Sequence, residues 1–254
     1  MLLKIALKNL LGARLRTFLN VLVTAFSFFL ILFMSAMYDG MLQHAKQVTM
    51  DTEIAGGAYW HPEYDPLDPM TFEDAHSVPP SAIQALIDEN KAFPVLVSQA
   101  SIYPGGRIMP TIMKGIPPAQ RIVNMPTDAL LGHEDIAIPV LIGKGMASES
   151  KLEVGDAFTI RWLDTDLTYD ADEGTVVHIM DTENFKLDMG HIWIPLNKVQ
   201  SMLAMEGEAT YVTYGKGVQP VQDKGDWIPR DINYLVQDME AIIEADKPGA
   251  QIMY

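Results

Sequence analysis

No cysteine occurs in the 254 residues. That excludes a disulfide framework and any thiolate metal site, so a fold in an oxidising compartment must stand on its own core. Basic residues are scarce too: 18 Lys and Arg stand against 33 Asp and Glu, giving a formal net charge of −15 and a pI near 4.6. A nucleic-acid partner needs clustered cations to displace phosphate counterions, and this balance excludes one. Internal repeats and low-complexity tracts are missing. His44, His61, His76, His133, His178 and His191 are scattered with no HExxH and no i,i+4 pair, so no metal site is expected. Neither a GxSxG elbow nor a Walker A loop is found. Gly143-Lys144-Gly145 is followed by Met146-Ala147-Ser148, which cannot grip a phosphate; a tight strand-to-helix turn is the reading. The chain has no ATPase motif, no catalytic constellation and no expected cofactor.

What the sequence does have is one uncharged, mostly apolar run, Phe18 to Met37. About 20 apolar residues suffice to cross a bilayer as a helix, because each backbone polar group is then satisfied internally. A secretory signal has a shorter apolar core and a small-x-small cleavage site, and the end of this run offers no Ala-x-Ala. A buried core helix would carry a polar face, which Asn20, Thr24 and the serines hardly supply. A retained anchor is the reading adopted. Lys4, Lys8, Arg14 and Arg16 precede the run and Asp39 opens an acidic sequence after it. The positive-inside rule then keeps the N-terminus cytoplasmic and puts everything beyond about Tyr38 outside.

Residues 1–17 form a basic, Leu-striped segment that reads equally as an interfacial helix or as a plain cytoplasmic flank. Residues 18–47 are read as membrane helix and stalk, since Tyr38, Met41, Leu42, Ala45 and Val48 keep helical spacing as far as Gly56-Gly57. Residues 48–254 are the exported domain. In it, Ala58–His61 reads as a strand, Ala82–Lys91 as a helix capped by Ser81, and Val95–Tyr103 and Arg107–Lys114 as strands joined at Pro104-Gly105-Gly106. Short β-rich segments fill 117–207, broken by helices near Gly145–Ser150 and Leu196–Met205. Tyr211–Tyr214 (strand), Ile232–Ala245 (helix) and Gln251–Tyr254 (strand) complete the pattern. The fold class expected is α+β: an N-terminal transmembrane helix, then two lobes, a ferredoxin-like α/β lobe with a β-rich lobe inserted over 117–207. Asp164, Asp166, Asp170, Asp172 and Glu173 crowd the segment between two of the strands. An EF-hand register from Asp164 would need glycine where Tyr169 stands. A solvated hairpin tip is the plain reading; a docking tip for a basic partner, formed by Asp164, Asp166, Leu167, Tyr169, Asp170 and Asp172, is the functional one.

Three local patterns now converge: Arg14 to Asn20 (RLRTFLN) entering the membrane run, Lys114 to Pro118 (KGIPP) after a strand, and Ile138 to Ile160, closing with Ile194-Pro195-Leu196 and Gln200. Together they resemble the permease subunits of MacB-like ABC transporters, a group that includes the lipoprotein-releasing permeases. The resemblance implies a four-helix permease of the bacterial inner (cytoplasmic) membrane, with a periplasmic core domain between its first two membrane helices. It implies a cytoplasmic ABC ATPase subunit and a second permease subunit, homo- or heterodimeric, as partners besides membrane lipid. The function implied is relay of ATP hydrolysis to periplasmic lobes that export or extract a lipophilic or peptidic substrate, lipoprotein release included. Two other readings stand beside it, a regulator of a periplasmic cell-wall hydrolase or sensor and a tethered periplasmic binding module. A neighbouring ATPase gene would exclude the last. By this resemblance further membrane helices belong after Tyr254, and the chain is expected to be a fragment or split gene product. The lipoprotein-releasing members carry a long apolar hook where this chain has the short acidic Asp164 to Gly174 stretch. Topology is directly testable: a reporter active only in the periplasm, fused after Gly249, should be active, whereas activity of a cytoplasm-only reporter there would reverse the assignment.

Overall fold

The computed structural model describes residues 14–165 and 168–236. The chain divides after Lys46 into a helical unit and a globular one. Helix α1 (Arg14–Thr49) carries the apolar run and, by length and composition, is the one helix among the described residues able to cross a membrane. Phe18, Val21, Phe28 and Ile31 each leave more than half of their surface exposed among the described residues. Ser27 returns its hydroxyl to the Val23 carbonyl at 2.9 Å, the usual way such a group is satisfied in apolar surroundings. Arg14 opens the helix and Arg16 is exposed, while Lys4 and Lys8 lie outside the described residues. A π-helical turn, Met50–Ile54, finishes the run, and Ala55 stops it at φ 52°. Gly56 and Gly57 follow for steric reasons. A Cβ on Gly56 would lie 2.3 Å from the Gly215 carbonyl oxygen, and Gly57 sits at φ +135°.

In the globular unit, β1 (Gly57–Trp60) is followed by α2 (Ser81–Asp88) and the long β2 (Ala92–Tyr103). The first residues of β2 pair with β8 (Tyr211–Tyr214), β8 with β1, and β1 with β9 (Ile228–Asp231), all antiparallel. The order β9-β1-β8-β2, with α2 crossing between the parallel pair β1 and β2, is that of a ferredoxin-like α+β sheet. Between β2 and β8 the chain builds β3 (Met109–Ile116), β4 (Ile138–Gly143), α3 (Lys144–Ser150), β5 (Ala157–Leu163), β6 (Tyr169–Met180), α4 (Phe185–Asp188), β7 (His191–Pro195) and α5 (Leu196–Leu203). Its strands join the second half of β2 in a closed circuit, β2-β3-β7-β4-β6-β5 and back to β2. Closure removes the open edges a short-stranded sheet would expose. Period-2 alternation fills one core, with Ile138, Val140 and Ile142 from β4 and Phe158, Ile160 and Trp162 from β5. Met146 of α3 and Val199 and Leu203 of α5 complete it.

Several boundaries differ from the sequence reading, each for a local reason. The inserted lobe expected over 117–207 begins earlier, inside β2, because the twelve-residue strand pairs with β8 through Val95 and with β3 from Leu96. Ser81 is the first helical residue rather than the cap; Pro80 holds that place, and its carbonyl accepts from Ile83 and Gln84. Helix α2 stops at Asp88 rather than Lys91. Asn90 turns to φ 56°, and Lys91 donates back to the Leu86 carbonyl in a Schellman-type closure. The acidic stretch after Leu163 is mostly strand: Tyr169 to Thr175 pair with β5, leaving a short turn. Strand β9 occupies the fourth place in the small sheet, ahead of the helix that begins at residue 232. The strand expected at Gln251–Tyr254 lies outside the described residues, as does most of the helix expected over Ile232–Ala245.

The Gly-Lys-Gly turn shows what its glycines are for. A Cβ on Gly143 would stand 2.2 Å from the Cα of Asp188, in α4, so β4 and α4 can approach only through glycine. Gly143→Ala should therefore cost about 1–3 kcal/mol by overpacking, or more if the backbone cannot shift. Urea unfolding of the detergent-solubilised protein should show a lower midpoint at unchanged slope.

Candidate functional site

No group of three or more His, Asp or Glu side chains able to hold a metal occurs among the described residues. The functional geometry lies instead where the end of the long helix, from Gln47 onward, is fastened into the globular unit. Asp51, Thr52 and Glu53 occupy the π turn, and each binds a different element.

Asp51 accepts from Gln47 Nε2 at 2.7 Å and from Lys216 Nζ at 2.5 Å, and its carbonyl accepts from the Asn124 amide at 2.7 Å. The Lys216 ammonium first, then the Gln47 amide, holds the Asp51 carboxyl below the ordinary carboxylate range. Its contribution to stability is thus complete above the ordinary carboxylate pKa and is lost as pH falls through the lowered folded value. The buried Thr52 donates its hydroxyl to the Val48 carbonyl at 2.8 Å and accepts from Asn184 Nδ2 at 3.3 Å. Glu53 approaches Lys114 Nζ at 3.7 Å, and both side chains are largely buried. The lysine also lies 4.9 Å from the ring centroid of the buried Trp193. Near the same carboxylate, Tyr64 and Tyr211 stack with their rings 5.7 Å apart. Burial pushes both phenols up, Tyr211 well above its ordinary value, and the Glu53 charge adds to the shift in each.

The helix terminus is therefore bonded to the barrel strand β3, to the loop before α4, to the segment around Asn124 and to the loop after β8. An open cleft of about 1020 Å³ runs beside it, lined by Asp51, Thr52, Asn124, His178, Thr182 and Lys216 among others. Two of the sequence patterns, Lys114 to Pro118 and Ile138 to Ile160 with its closing Ile194-Pro195-Leu196, meet in the barrel. Lys114 to Ile116 pair in parallel with Trp193 to Pro195, and β4 pairs with β7 through Leu141 and Ile142. A Cβ on Gly115 would crowd Val199 at 3.0 Å, which accounts for the glycine in Lys-Gly-Ile-Pro-Pro.

The residues anticipated from sequence fare differently. Arg14 and Arg16 lie at the helix start. In the acidic stretch, Thr168 donates its amide to Asp164 Oδ1 at 2.8 Å, and Asp170 and Asp172 each accept from the following backbone amide. Arg161 lies over the Tyr169 ring at 3.9 Å, so the turn carries a cation of its own. Asp166 and Leu167 are outside the described residues. Sequence reasoning missed Asp51, Thr52, Glu53, Asn184 and Lys216. The available signal was a lysine inside an otherwise apolar strand, Met109–Ile116, since a buried ammonium requires a counter-charge. Lys114→Met should uncouple that pair. A double-mutant cycle with Glu53→Gln should return a coupling of about 1–2 kcal/mol, the single Glu53→Gln change being the costlier because it leaves the ammonium in the interior.

Neither a protein-family model nor a curated protein sequence matches the chain. Solved structures do. The periplasmic region of MacB from Actinobacillus actinomycetemcomitans is similar at a TM-score of 0.48 and 9% identity, over 76% of this chain and 95% of that one. The extracellular domain of the noncanonic ABC-type transporter YknZ from Gram-positive bacteria is similar at a TM-score of 0.41 and 12% identity, over 73% and 94%.

Proposed function

We propose that the chain is a permease subunit of a MacB-like ABC transporter, in which a membrane helix relays cytoplasmic ATP hydrolysis to an extracytoplasmic domain. The observation that carries the reading is the fastening of the helix terminus through Asp51, Thr52 and Glu53. A plain tether would need one flexible connection; here the terminus is hydrogen-bonded and ion-paired to elements of both sheets. Strand order supports the same reading. β1, which receives the chain from this junction, lies beside β9, with Gly57 opposite Asp231, and Asp231 Oδ1 accepts from Tyr234 in the helix that follows. The helix that opens at residue 232 thus starts beside the strand that receives the chain from the junction, an arrangement suited to a device driven by paired helices. The motifs from Arg14 to Asn20, Lys114 to Pro118 and Ile138 to Ile160 supply the family assignment.

In this reading the N-terminus is cytoplasmic, the globular unit is periplasmic, and the protein is held in the inner membrane. Its partners are a separate ATPase subunit and a second permease subunit. The work is export or extraction of a lipophilic or peptidic substrate already outside the inner membrane; release of lipoproteins is one form such work takes. Inserting Gly-Pro after Met41 should break the rigid helix while leaving the globular unit folded. ATP hydrolysis by the assembled complex should persist and extracytoplasmic output should fall to background. Full output from that variant would reduce the helix to an anchor.

A further inference from the structure

The loop between β1 and α2 presents an apolar pair to solvent. Asp68 donates its amide to the Asp65 carbonyl and Thr71 donates to the Asp68 carbonyl, both at 3.1 Å, so the chain makes successive three-residue turns. Leu67 and Met70 are each the third residue of their turn, three apart in the chain. They are 67% and 71% exposed, although Tyr64 and Phe72, on either side in sequence, pack against each other with the Phe72 ring buried. The turns are fixed rather than loose: Gln99 Nε2, from β2, donates to the Pro69 carbonyl at 2.7 Å. No lysine or arginine lies between Lys46 and Lys91, so the segment that carries Leu67 and Met70 bears carboxylates and no Lys or Arg charge. Among the described residues, Glu63, Asp65, Asp68, Glu73 and Asp74 form no ion pair.

We propose that Leu67 and Met70 anchor a cationic amphipathic segment of another extracytoplasmic protein. The two side chains would enter its apolar stripe, and the surrounding carboxylates would face its lysines or arginines. An exposed apolar pair on a rigid mount satisfies the requirement for anchors that lose little entropy on binding. The carboxylates of this segment select the charge of the partner and repel a second copy of this loop. The inference rests on the permease reading only for the compartment in which the partner is met.

The cysteine-free chain allows a local test with the full protein in phosphatidylcholine nanodiscs. Met70→Cys and, as a reference, the exposed Val154→Cys are labelled with an environment-sensitive dye and titrated with a helical leucine–lysine peptide. Its leucine–glutamate counterpart serves as the charge control. Dye at position 70 should respond to the lysine peptide alone, dye at 154 to neither. Anisotropy of the labelled lysine peptide should show affinity for Leu67→Ser/Met70→Ser weakened about tenfold or more, with wild-type binding falling as salt is raised. Unchanged affinity in the double variant, an equal response at 154, equal binding of both peptides, or no binding to the wild type would each overturn the proposal. No ATPase enters the assay, so its outcome is separate from that of the transporter reading.

Discussion

Strand β2 is the constraint on which the rest of the globular unit depends. Its first residues hydrogen-bond to β8 in the small sheet, and its later ones to β3 and β5 in the barrel. Two lobes joined by a linker could move independently. Two lobes that share one uninterrupted strand cannot, because bending it between Val95 and Leu96 would break ladder bonds on both sides at once. Phe93, Val95 and Val97 from this strand pack in one cluster with Leu141, Trp193 and Tyr211, drawn from the barrel and the small sheet. Close-packed interiors transmit displacement rather than absorb it. A force delivered to either sheet is therefore delivered to both.

The fastening point uses charge where apolar contact would have been cheaper. Replacing a buried ion pair by apolar side chains often leaves stability unchanged or improved, so Glu53 and Lys114 are poorly explained as stabilisers. Directionality is what they add. An apolar plug could rotate or slide in its socket, whereas Glu53 must keep its carboxylate toward Lys114, and Asp51 must keep its own toward Lys216. Positions 51 and 53 lie on different sides of the π turn, so the helix end is held in rotation as well as in place. Sparing use of cations sharpens the pairing. In a chain with so few lysines, placing one inside β3 and one beside Asp51 leaves little ambiguity about which carboxylate goes where.

How much was legible in the sequence depended on the range of the interaction. The long apolar helix was read from an uncharged run whose signal is entirely local. Its end ahead of Gly56-Gly57 was equally local, since those glycines answer to a carbonyl 2.3 Å away and to a positive φ. The ferredoxin-like order was legible through the strand–helix–strand alternation of β1, α2 and β2. The start of the barrel was not, because nothing in Ala92–Tyr103 marks Val95 as the residue where pairing partners change. Helix α4 and strand β9 were missed for a related reason: four residues carry too little periodicity to stand out. The junction was the least legible part. Asp51, Thr52 and Glu53 look like a hydrophilic helix end, and only the fold brings Lys114, Asn184 and Lys216 to them.

The acidic balance acquires two different meanings once these positions are known. At the β5–β6 turn and the start of β6, the carboxylates of Asp164, Asp170 and Asp172 accept from nearby backbone amides, and Arg161 covers Tyr169. There the charge is spent on turn geometry and solubility. In the β1–α2 loop, Asp65 and Asp68 also cap turns, accepting from the amides of Leu67 and Met70. Those bonds determine where two large apolar side chains point, and no cation follows until Lys91. The same residue type thus closes one surface and opens another. The difference lies in the apolar neighbours: Tyr169 lies under Arg161 in the first case, and Leu67 and Met70 stand exposed two residues after their aspartates in the second.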